Sequence, residues 1–70
     1  MNQILGRGAT GAEVERLQND LNRLGYSVRV DGLFSEATEA AVMEFQRQHS
    51  LTADGVVGPQ TGRALGAALG

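Results

Sequence analysis

The chain has no cysteine, no lysine, no tryptophan, a single proline and a single histidine. Without cysteine, neither a disulfide framework nor a thiolate zinc site can hold so small a domain together, so packing must do it alone. Hydrolytic zinc needs about three protein ligands, usually rich in histidine, and His49 stands by itself. A Cys-His pair is excluded by residue type, and a Ser-His-Asp triad fits poorly with a histidine that falls at a helix end, where it suits a cation or cap role. No apolar run approaches the roughly 20 residues of a membrane span, and no basic segment followed by an apolar stretch marks a secretion signal. The net charge is −2, and the six arginines (Arg7, Arg16, Arg23, Arg29, Arg47 and Arg63) are interleaved with eight acids, which lacks the clustered footprint a nucleic acid requires. Asp31, Asp54, Glu36, Glu39 and Glu44 supply carboxylates for glycoside cleavage, yet 70 residues leave little room for a cleft that desolvates one of them. No catalytic residue, metal, cofactor, nucleic-acid partner or membrane contact is expected.

What the chain does have is a repeated stretch. Asp31-Gly32-Leu33-Phe34-Ser35-x-x-Thr38 returns as Asp54-Gly55-Val56-Val57-Gly58-x-x-Thr61, 23 residues later. Asp-Gly favours a tight reversal, since the Asp side chain bonds its own downstream backbone and Gly accepts a positive φ. Each copy therefore reads as a turn feeding a helix: two apolar residues plug the core, Ser35 or Gly58 starts the helix, and the threonine hydroxyl bonds back into the loop. Upstream of each copy a glutamine, Gln18 or Gln46, follows a core position, where its amide satisfies loop groups at the core edge.

Three helices follow from the apolar spacing. Thr10-Gly11-Ala12-Glu13 fits a capping box, and Val14, Leu17, Leu21 and Leu24 form one apolar stripe that Gly25 ends, with Tyr26 folding back on Leu21. Ser27–Val30 alternates but is too short for a sheet and reads as loop. Helix 2 starts at Ser35, turns Thr38, Ala41, Val42 and Phe45 inward and ends near His49. Helix 3 opens at Gly58-Pro59 and turns Thr61, Leu65, Ala68 and Leu69 inward. The expected fold is a compact all-α three-helix bundle spanning residues 1–70, with Val14, Leu17, Leu21, Leu24, Phe34, Val42, Phe45, Leu51, Val56 and Leu65 in its core.

The order Leu5, Gly8, Gly11, Val14-x-x-Leu17-Gln18-x-x-Leu21-x-x-Leu24-Gly25-Tyr26, then Asp31-Gly32-x-Phe34-x-x-x-Thr38-x-x-Ala41-Val42-x-x-Phe45-Gln46, then Leu51-x-x-Asp54-Gly55-Val56-x-Gly58-x-x-Thr61 resembles the three-helix peptidoglycan-binding domain attached to bacterial and phage cell-wall hydrolases. The resemblance implies a non-catalytic, monomeric module whose partners are peptidoglycan or muropeptides and an appended hydrolase domain, working in the cell wall, the periplasm or outside the cell. It also implies that the chain is a fragment or module of a larger protein. The alternative is a protein-interaction or regulatory module on the same scaffold. Relatives of the domain that serve as propeptides of metalloproteases use a cysteine on the metal, and this chain has none.

Two residues depart from the family pattern: Ser35 stands where glycine is usual, and Ser50 where glycine often ends helix 2. A left-handed backbone at Ser50 costs up to about 1 to 2 kcal/mol. For the ligand, Tyr26, Arg29, Asp31, Gln46 and Arg47 are the candidate residues, at the meeting of the end of helix 1, the first Asp-Gly loop and helix 2. Muropeptides present hydroxyls, amides and carboxylates, for which arginine and glutamine are suitable donors, while a tyrosine edge gives apolar support.

Overall fold

A computed structural model describes residues 4–70 and contains three helices, α1 (Ala12–Arg23), α2 (Glu36–Gln48) and α3 (Pro59–Leu69), with α1 packed against both others. No strand occurs among the described residues, so the fold is the all-α bundle the spacing predicts. Its core is Leu5, Val14, Leu17, Leu21, Phe34, Val42, Phe45, Val57 and Leu65, with Leu24, Tyr26, Ala41, Leu51 and Ala64 packed against it at partial burial.

Three expectations about the core need correction. The two apolar residues of each repeat do not both plug it: Phe34 and Val57 are buried, while Leu33 and Val56 are 45% and 37% exposed. The segments are extended, so consecutive side chains point to opposite faces and only one of each pair can enter. Leu5 joins the core because its amide and carbonyl exchange bonds of 3.0 and 2.8 Å with Val57. On α3, Ala64 rather than Ala68 packs inward, since it lies beside Leu65 and three residues after Thr61, whereas Ala68 is exposed.

The capping box at Thr10 does not form. Gly11 is the N-cap, and Thr10 is held in an antiparallel bridge with Leu33, flanked by bonds from Gly8 and Gly11 to the carbonyls of Phe34 and Gly32. With the backbone entry fixed in this way, no side-chain cap is made at α1. Ser35 and Gly58 do occupy the N-caps of α2 and α3, in extended conformation and also without a side-chain cap bond, and Pro59 opens α3.

Both α1 and α2 end in the same way. Tyr26 N–H reaches Leu21 O at 2.9 Å and Gly25 N–H reaches Asn22 O at 3.0 Å; Leu51 N–H reaches Gln46 O at 2.8 Å and Ser50 N–H reaches Arg47 O at 3.3 Å. These are paired reverse bonds of a Schellman cap, whose left-handed residue is Gly25 in one copy and Ser50, with φ 60°, in the other. Ser50→Gly should therefore stabilise the domain by about 1 kcal/mol, a rise of about 4 to 8 °C in melting temperature, after the greater unfolded-state freedom of glycine is deducted. An unchanged or lower melting temperature would show that Ser50 carries no such strain.

The loop after α1 is pinned by Asn22. Its side-chain nitrogen donates to Val28 O and its oxygen accepts from Val28 N–H, both at 2.9 Å, which replaces the missing strand partner of Ser27–Val30.

Candidate ligand-binding surface and buried glutamine networks

Each repeat closes around a buried amide. Gln18, wholly buried on α1, shares the two hydrogens of Nε2 among Asp31 Oδ1 (3.0 Å), Leu33 O (3.0 Å) and Thr38 Oγ1 (3.1 Å), and its Oε1 accepts from the backbone N–H groups of Asp31 and Gly32, both at 3.0 Å. Gln46 repeats this on α2: Nε2 donates to Asp54 Oδ1, Val56 O and Thr61 Oγ1, and Oε1 accepts from Gly55 N–H at 3.0 Å. The backbone donors settle which end of each amide is oxygen, because only the oxygen can accept from them. The threonines thus meet a glutamine from the preceding helix, where the sequence reading had them bond back into the loop.

The same networks explain the glycines. Gly32 and Gly55 have φ of 75° and 74°, and a Cβ at Gly55 would stand 2.7 Å from Glu39 Cγ. The adjacent aspartates accept further bonds from Leu33 and Val56 N–H, each at 3.0 Å. At Asp31 the Leu33 amide and then the Gln18 side chain hold the carboxyl below its ordinary value; at Asp54 the Val56 amide and then Gln46 do the same. A depressed folded-state pKa contributes stability that is present above the unfolded value and is lost as pH falls through the folded one. The melting temperature should therefore drop below about pH 4, and Asp31→Asn with Asp54→Asn should flatten that dependence. Melts recorded down the acid range that fall equally in this double variant would remove the aspartates from the effect.

The structure places the five candidate ligand residues in different surroundings. Asp31 and Gln46 belong to separate networks, and Gln46 is 1% exposed with its amide turned inward. Tyr26 is half-buried, with its ring edge-on to Phe45 at 6.2 Å and 81°. Arg47 is exposed and paired with Glu44 at 2.7 Å, and Arg29 is exposed near Asp31. His49 tilts over Phe45 at 4.2 Å, an aromatic contact that follows from their i,i+4 spacing at the end of α2.

A concave surface lies elsewhere. Between α1 and α3 runs a groove of about 460 Å³, floored by Leu5, Leu17, Val57 and Leu65 and rimmed by Glu13, Arg16, Asp20 and Arg63. Sequence reading missed it because its walls come from three separated stretches of chain.

Residues 10–65 match the peptidoglycan binding domain family. The chain belongs to that family. As a peptidoglycan-binding domain it is 40% identical over 65 residues to a spore cortex-lytic enzyme of Bacillus cereus, a match covering 91% of this chain and 25% of the enzyme. Its structure overlays the SleB N-terminal domain with a TM-score of 0.95 at 38% identity, covering 100% of this chain and 97% of that one. It also overlays the Burkholderia AP3 phage endolysin with a TM-score of 0.88 at 41% identity, covering 90% of this chain and 24% of the endolysin. The domain spans a quarter or less of the length of the curated relatives it matches, so most of each lies outside the shared stretch.

Proposed function

We propose that this domain is a non-catalytic, monomeric module that binds peptidoglycan and holds an attached cell-wall hydrolase against its substrate, in the cell wall, the periplasm or outside the cell. The observation that carries the reading is the shared scaffold: the whole chain overlays the SleB N-terminal domain at 38% identity, and 90% of it overlays a portion of a phage endolysin at 41% identity. A protein-interaction module on the same scaffold is not favoured by a family whose relatives are cell-wall enzymes. Sedimentation of the purified domain with insoluble sacculi tests the proposal. Binding that soluble muropeptides compete away is expected; absence of binding, or binding abolished by salt with no response to muropeptides, would contradict it.

A further inference from the structure

The groove between α1 and α3 takes part in neither glutamine network, and its composition specifies a ligand. Its floor is apolar, formed by side chains no more than 8% exposed. Its rim holds two cations, Arg16 and Arg63, and two anions, Glu13 and Asp20, and among the described residues none of the four is in an ion pair. Outside the groove, Arg7 and Arg47 are paired, while Arg23 and Arg29 are in no ion pair among the described residues. Among the described residues no aromatic side chain lines it, so these offer nothing for a sugar face to stack on. Its volume lies within the range of about 300 to 1,000 Å³ common for small-ligand sites.

The wall contributed by α3 is opened by Gly62 and Gly66, one helical turn apart. Glycine weakens a helix interior relative to alanine, yet a Cβ at either position would meet nothing within 4 Å. Internal packing therefore does not require these glycines. Larger residues there would fill the groove.

We infer that this groove takes the peptide stem of peptidoglycan, an acidic peptide that also carries an ammonium where its third residue is a diamino acid, in preference to the glycan strand. The inference rests on the wall-binding reading above. Arg16 and Arg63 present planar donor forks to carboxylates, Glu13 and Asp20 face the ammonium, and the apolar floor covers the short aliphatic side chains. The mixed sign of the rim suits a ligand carrying both charges better than it suits a neutral sugar or a polyanion.

Sacculus sedimentation of the unmodified domain, Gly66→Leu, Arg63→Ala and Arg23→Ala tests this, with two competitors: the tripeptide alanyl-γ-glutamyl-diaminopimelate, and the peptide-free disaccharide of N-acetylglucosamine and N-acetylmuramic acid. Gly66→Leu should melt no lower than the unmodified domain and lose tenfold or more in apparent affinity; Arg63→Ala should lose several-fold and Arg23→Ala nothing. The tripeptide should release the domain and the disaccharide should not. If the unmodified domain sediments but Gly66→Leu binds equally well, or the tripeptide fails to compete, the groove assignment is overturned while wall binding stands. If the unmodified domain does not sediment, both fall.

Discussion

Gln18→Leu is expected to destabilise the domain by about 3 to 5 kcal/mol, because it strands several buried groups at once and each unsatisfied one costs about 1 to 3 kcal/mol. The Gly32 N–H and the Thr38 hydroxyl are buried and lose their Gln18 partner, and the Asp31 carboxylate, Asp31 N–H and Leu33 carbonyl lose theirs at the edge. Leucine fills the volume of the amide but offers none of its hydrogen bonds, so its apolar burial offsets only part of the loss. A chain of 70 residues has about 4 to 10 kcal/mol of total stability, and the variant should be largely unfolded at the lower end of that range. Thr38→Val removes one bond from the same network and should cost only about 1 kcal/mol. Urea denaturation of the two variants checks the ratio. Equal and small losses would mean that water replaces the amide and that the network is not closed.

Phe45→Ala should cost about 3 to 5 kcal/mol, the range for emptying a buried aromatic site. Phe45 is 1% exposed on α2, and it carries the edge of Tyr26 on one side and the face of His49 on another. Removing it leaves a cavity in the core and takes the support from the segment after α1. A cooperative melt near that of the unmodified domain would contradict the core assignment. Phe45 and Gln18 lie on different helices with no shared hydrogen-bond partner, so neither variant alone tests the other's mechanism.

The helices were legible because Val14, Leu17, Leu21 and Thr38, Val42, Phe45 recur at the steps a helix turns inward, and the echo of Gln18 in Gln46 signalled a repeated structural role. Other features lay outside any local pattern. An extended pair such as Val56-Val57 must turn one side chain out, but sequence does not say which until its backbone partner is known, and that partner is Leu5 near the other end of the chain. Thr10 reads as a cap by composition, whereas tertiary bridging to Leu33 fixes the entry to α1 instead. Ser50 could be read correctly, since the position requires a left-handed residue whichever side chain stands there.

The candidate site was less legible for a related reason. Polar residues beside the Asp-Gly turns looked available for a ligand, yet Asp31 and Gln46 spend their hydrogen bonds holding the turns closed. The repeated stretch spends its polar groups on the scaffold. The α1–α3 groove takes apolar Val57 from that stretch but its charged rim from elsewhere, and its glycines read in sequence only as weak helix formers.

The most direct test is an amide NMR titration of the isotope-labelled domain with soluble muropeptides. The account predicts saturable shifts at Gly62, Gly66, Arg16 and Arg63, with the side-chain amides of Gln18 and Gln46 and the backbone amides of Gly32 and Gly55 unmoved. No shift at any attainable muropeptide concentration would contradict peptidoglycan binding, and shifts confined to the Asp-Gly turns would contradict the division between a closed scaffold and an open groove.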